Sequence, residues 1–171
     1  MEQTPLQRAL REAPDLPPAE VTRPDRELFI FKLGTLLLGI DSSNVREVTR
    51  LGPLTPLPRM PSFVLGVFGH RGEVLPIVDL LRFLGQGEFK LSSRARVFLG
   101  VHGALTAAFV ADHVIGLRRI FVADILPAPV GGDIPVEHVT GVVRSEELRG
   151  AITVLDLTRV LQMASQRAVT R

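Results

Sequence analysis

The sequence predicts an all-β fold of two small barrels packed together and closed by a C-terminal helix, and three observations carry that expectation. From Glu27 onward the chain is a series of short apolar runs rich in Val, Ile, Leu and Phe. Gly, Pro, Asp or Asn interrupts them about every 6 to 12 residues, the punctuation of strands in a barrel or sandwich. The chain also repeats itself, and its last segment alone shows helical spacing.

Residues 1–26 hold Pro5, Pro14, Pro17, Pro18 and Pro24 among small and charged residues. Such a segment sustains neither a helix nor a strand ladder, so a flexible proline-rich arm is expected, with room for a brief helix over Leu6 to Arg11. The strand candidates follow in order as LFIFKL, TLLLGI, VREVTRL, FVLGVFG, EVLPIVDL, ARVFLGV, LTAAFVAD, HVIGLRRIFV, HVTGVV and AITVLDL. Pro76, inside EVLPIVDL, has no N–H to give a ladder, so its strand is expected at a sheet edge or with a bulge.

The repeat sets EVLPIVDLLRFL (73 to 84) on GAITVLDLTRVL (150 to 161), each preceded by a Gly-Val step, LGVF at 65 to 68 and TGVV at 140 to 143. Further upstream, TLLLGIDSSNV (35 to 45) is set on TAAFVADHV (106 to 114). A period of roughly 75 residues means two equivalent units rather than a solenoid, whose repeats are shorter. The units are expected at about 27–90 and 91–162. Asp79 and Asp156, each following a strand and opening a leucine-spaced segment, read as helix N-caps rather than catalytic acids. LTRVLQMASQRAVTR then places Leu157, Val160, Leu161 and Ala164 on one face of a closing helix that runs to about residue 168.

Composition narrows the function. The chain is 46% hydrophobic and 22% charged, as a globular protein is, and has no Cys, which removes disulfides, thiolate nucleophiles and Cys-based zinc sites. No apolar run approaches the roughly 18 residues of a membrane span, and MEQTPLQRAL has no signal-like pattern, so the expectation is a soluble, cytoplasmic protein. The pI near 9.9 reflects 20 Lys and Arg residues, nearly all Arg, against 18 acids, yet the net charge is only +2. Single-strand binders pair a basic groove with stacking aromatics; this chain has neither Trp nor Tyr, and its nine Phe lie mostly in apolar runs.

Chemical motifs are few. His70, His102, His113 and His138 are scattered, without metal-site spacing. GHRGE lacks the Gly-Lys-Ser/Thr ending of a phosphate loop, and no Gly-x-Ser-x-Gly elbow occurs. No cofactor or metal is expected. The stretch FGHRGEVLPIVDLL, with its charged turn between two apolar runs, reads as a hairpin whose tip holds an exposed Arg71, flanked by Gly69 and Gly72 for the turn and by His70 and Glu73 as possible partners. Without a catalytic constellation, an all-β double barrel is expected to work by presenting surfaces, so its edges and turns matter most.

In order, FIFKLGTLLLGIDSSNVREV, PLPRMPSFVLGVFGHRGEVLPIVDLLRFLG, VADHVIGLRRI leading to ILPAP, and HVTGVVRSEELRGAITVLDLTRVL resemble the CheW-like coupling proteins of bacterial chemotaxis systems over about residues 27 to 162. The resemblance implies two intertwined five-stranded SH3-like barrels. It implies an adaptor, not an enzyme, linking the tip of a methyl-accepting chemoreceptor to the regulatory domain of a histidine autokinase, in the cytoplasm at receptor arrays, with neither nucleic acid nor membrane insertion. By the same resemblance Val45 and Glu47 match positions of kinase and receptor contact. Arg71 matches the arginine of an Asn-x-Arg-Gly turn that here includes His70 and Gly72 and carries Gly69 in place of the asparagine. The competing readings are an SH3-like nucleic-acid-binding module and a small-ligand β-barrel.

Overall fold

The computed structural model describes residues 24–169. The arm expected over 1–26 lies outside the described residues but for its last three. All ten apolar runs are strands: β1 (Arg26–Leu33), β2 (Leu36–Asp41), β3 (Val45–Arg50), β4 (Val64–His70), β5 (Glu73–Val78), β6 (Arg96–His102), β7 (Leu105–Ala111), β8 (His113–Ile120), β9 (Val139–Ser145) and β10 (Gly150–Leu155). A single turn of helix, α1 (Leu80–Phe83), follows β5, and α2 (Leu157–Val169) ends the described chain.

The strands form two five-stranded sheets, ordered β8-β1-β2-β10-β9 in the first and β3-β6-β7-β5-β4 in the second. They interlock. β3 leaves the first sheet after β2 and pairs with β6, and β8 leaves the second after β7 and pairs with β1. The boundary near residue 90 therefore divides the sequence repeat but not the sheets, each of which takes strands from both halves. The turn after β2 directs the first crossing: the Asp41 carboxylate accepts from the Ser43 amide at 2.9 Å and its hydroxyl at 2.6 Å, and the Asn44 amide donates to the Val101 carbonyl of β6 at 3.1 Å.

The repeat is truer in space than in the alignment read from sequence. Phe29 faces Ile40 in the β1–β2 hairpin as Phe98 faces Phe109 in β6–β7, and both hairpins close on two-residue turns, Leu33↔Leu36 and His102↔Leu105. Leu36 thus takes the place of Leu105, not of Ala107 as the residue match suggested. Turn length sets hairpin register, and a match between similar apolar residues does not.

Alternation along β1 splits the core. Phe29, Phe31 and Leu33 join a large cluster with Phe98, Phe109 and the buried residues of both helices, while Leu28 and Ile30 join a smaller one with Val143, Ile152 and Val154. Phe98 lies 5.2 Å from Phe29, 4.8 Å from Phe31 and 5.3 Å from Phe109 between ring centroids, so aromatic packing ties the sheets together. Each such buried ring contributes about 1.5–3 kcal/mol.

Two glycines show why the Gly-Val steps repeat. Gly66 and Gly141 sit where an incoming loop bridges the neighbouring residue, Thr55 to Val67 and Leu126 to Val142. A Cβ on Gly66 would stand 2.5 Å from the Thr55 carbonyl oxygen, and one on Gly141 would collide with the Leu126 oxygen.

Both aspartates cap helices as expected. Buried Asp79 accepts from the amides of Leu81 (2.9 Å) and Arg82 (3.4 Å) with one oxygen and from Phe89 (2.8 Å) with the other; Asp156 accepts from Arg159 at 3.1 Å. α2 buries Leu157, Val160, Leu161 and Ala164. Pro76 departs from expectation: β5 is interior, between β7 and β4, and the register shift lies across from it in β4, between Val64 and Gly66. The proline is tolerated because the parallel ladder to β7 starts only at Ile77, so no partner awaits the missing N–H.

Candidate functional site

β3 and β4 are the two edges of the second sheet, yet the sheet curls until their side chains meet. Glu47 of β3 reaches His70 of β4, Oε1 to Nε2 at 2.6 Å, and its other oxygen is 3.8 Å from the Arg71 guanidinium. Arg46 of β3 donates to Glu73 of β5 at 2.7 Å. Residues far apart in sequence thus form one charged cluster over the seam of the sheet. Glu47 and His70 are largely covered, their side chains 23% and 16% exposed, whereas the Arg71 side chain is 76% exposed.

The hairpin tip is a two-residue turn, His70 pairing with Glu73 across Arg71 and Gly72. Both central residues have positive φ, 49° at Arg71 and 82° at Gly72, as a type I′ turn requires. Glycine adopts that conformation freely, whereas an arginine does so seldom; Arg59 and Arg149 share it among the described residues. Gly69, read from sequence as one bracket of the turn, is instead a strand residue facing Val74. His70 and Glu73 do not hold Arg71: the first pairs with Glu47 and the second with Arg46.

Of the five residues singled out in sequence, Glu47, His70, Arg71 and Gly72 come together here. Val45 differs. The pairing with β6 shifts register between Val45 and Glu47, but burial alternates along the whole of β3, and Val45 is half-buried against the large core. The exposed apolar side chain of the strand is Val48, at 42%, between exposed Arg46 and Arg50. The alternation of Arg46, Val48 and Arg50 in VREVTR carried that signal.

Electrostatics also steady the turn that delivers β3. Burial pushes the Asp41 carboxyl up, but the hydroxyl and amide of Ser43 and the guanidinium of Arg26 outweigh it and hold its pKa below the usual carboxylate value. Among the described residues no three His, Asp or Glu side chains gather to hold a metal ion, and no helix is long and apolar enough to cross a membrane.

Two interlocked five-stranded sheets closed by a C-terminal helix place the chain in the class of intertwined double-sheet folds. The model of the CheW-like domain matches residues 27–165. A search of curated proteins finds Protein FrzA of Myxococcus xanthus, 56% identical over 93% of this chain and 99% of that protein, and a chemotaxis protein CheW of Rhizobium meliloti, 31% identical over 74% and 82%. Among solved structures, the scaffolding protein TtCheW of Thermoanaerobacter tengcongensis superposes with a TM-score of 0.70 at 26% identity, covering 77% of this chain and 84% of that one. The chain belongs to the CheW-like domain family, and it is a chemotaxis coupling adaptor.

Proposed function

We propose that this adaptor, without catalytic activity of its own, holds a methyl-accepting chemoreceptor tip and the regulatory domain of a histidine autokinase in one cytoplasmic array, and docks through the β3 edge and the β4–β5 hairpin. The observation that supports this reading most is the cluster of Glu47, His70 and Arg71, assembled from β3 and the hairpin. A covered Glu47–His70 pair holds the seam, and an arginine fork projects from a turn of unusual backbone. Exposed arginines in rigid settings are frequent interface hot spots, because a planar fork loses little freedom on binding. Val48 and Arg46 extend the surface along β3, where an edge strand also offers unpaired backbone groups to a partner.

The test measures binding of the source organism's histidine autokinase and chemoreceptor to variants of the full chain. Arg71→Ala is expected to weaken binding by roughly 1 to 3 kcal/mol, as loss of a hot spot does. Its stability should change by less than about 1 kcal/mol, because a 3.8 Å contact to Glu47 at an exposed site is worth little. An Arg71→Ala chain that assembles receptor and kinase as well as the parent does would refute the hairpin's role.

A further inference from the structure

We propose that the far end of β3, built on Arg50, Arg94 and Arg96, is a separate docking site for an acidic peptide segment of a partner protein. Arg50 and Arg96 are direct cross-strand partners, two like charges set opposite each other. That arrangement disfavours a sheet. The internal repeat supplies its own control: Phe29↔Leu117 and Glu27↔Arg119 in the first sheet occupy the places of Phe98↔Val48 and Arg96↔Arg50 in the second. At the equivalent position the first sheet has opposite charges, with Arg119 3.8 Å from Glu27. The fold therefore accommodates a complementary pair here, and the second sheet lacks one.

No described residue neutralises the arginines. Arg50, Arg94 and Arg96 form no ion pair with any described residue, and Arg96 instead donates to the carbonyls of Arg94 (3.0 Å) and Ala95 (3.1 Å). Arg50 also lines an open cavity of about 550 Å³ with Leu51, Leu54, Leu91, Ser92 and Ser93, in which Leu91 is largely exposed. Carboxylates would supply the missing counter-charge through bidentate guanidinium contacts. The leucines and serine hydroxyls fit the mixed side chains of a peptide better than an inorganic ion. The cavity has no aromatic lining on which bases would stack, which favours peptide over single-stranded nucleic acid. This surface is distinct from the Arg71 hairpin, and its test uses neither kinase nor receptor.

The test is fluorescence anisotropy of a short labelled peptide of Glu and Leu with the full chain and its variants. Arg50→Gln and Arg94→Gln are each expected to weaken binding about tenfold, the scale of one lost charge-assisted contact. Arg119→Gln, on the equivalent strand of the first sheet, should change it less than about twofold, because its charge is already paired. Arg50→Glu should abolish peptide binding yet raise the thermal midpoint by about 1–3 °C, since it sets opposite charges across the pair, as Glu27 and Arg119 do with the signs on the other strands. Unchanged affinity in the Arg50 and Arg94 variants, an equal loss in Arg119→Gln, or a lower midpoint in Arg50→Glu would each overturn the proposal. So would displacement of the peptide by inorganic phosphate, or by a single-stranded oligonucleotide, at lower concentration than by unlabelled peptide.

Discussion

The two sheets share a register and differ in how their edges are joined. In the second, β3 meets the β4–β5 hairpin through two pairs, Glu47 with His70 and Arg46 with Glu73. In the first, the one ion pair between β8 and the β9–β10 hairpin among the described residues is Arg118 with Glu147, at 3.0 Å, and that hairpin carries a longer loop from Ser145 to Gly150. The exposed apolar residues at the matching edge positions are Val48 and Leu117, so an outward hydrophobe is kept on both sheets while the charges around it are not. Backbone pairing answers to turn lengths, close approaches and buried caps, which tolerate little change; exposed charge answers to whatever binds there.

The comparison can be tested hardest at the shared glycines. If the loop bridge is the same device in both sheets, Gly66→Ala and Gly141→Ala should each destabilise by about 3–4 kcal/mol, because a methyl group would meet a carbonyl oxygen that belongs to the bridge itself. Gly66, with φ of 147°, should suffer the more, and chemical denaturation of both variants decides it. A cost in only one would mean that the two loops are held differently.

The capping aspartates sharpen the contrast. Asp79→Ala would orphan three buried or partly buried amide donors and should cost about 2–3 kcal/mol. Asp156→Ala, which removes a single contact nearer the surface, should cost about 1 kcal/mol. Equal losses would place the stabilisation in the fold around the helices rather than in the caps.

The smallest effect concerns Phe63 and His138, which occupy equivalent places: the Phe63 carbonyl accepts from the Asp79 amide as the His138 carbonyl accepts from that of Asp156. Both rings pack on Phe83, whose face Arg167 also covers at 4.8 Å. His138 is buried, its Nδ1 without a hydrogen-bond partner among the described residues and its Nε2 3.4 Å from Glu137. Burial lowers its pKa, Glu137 opposes that, and Arg167 and Arg159 add to it. The unfolded chain then takes up the proton more readily, so stability present above the ordinary value near 6.5 is lost as pH falls from there toward the lower folded pKa. His138→Phe should stabilise by about 1 kcal/mol at neutral pH, by relieving the orphaned nitrogen, and should remove that acid-side decline. A variant with the same slope between pH 7 and 5 would assign the decline to other groups.

Much of this was legible in the amino-acid order. Apolar runs and their punctuation named all ten strands, the two Asp-Leu-x-Arg segments named both caps, and spacing named the buried face of α2, since period and turn chemistry are local properties. The charged residues of the hairpin were visible as a motif, but their partners were not. His70 and Glu47 are separated by 23 residues and Arg46 and Glu73 by 27, so only the curl of the second sheet brings them within hydrogen-bond reach.

Strand existence, helix caps and the outline of a duplicated all-β unit follow from neighbours along the chain, because each depends on interactions within a few residues. Tertiary structure decided the rest: that β3 and β8 exchange sheets, that Pro76 sits in an interior strand, that Val45 turns toward the core and Val48 away from it, and that Arg50 faces Arg96. The physical reason is common to all four. Which strand lies beside which, and in what register, is chosen by long-range burial and hydrogen-bond satisfaction, and those sum over contacts that no local stretch of sequence contains.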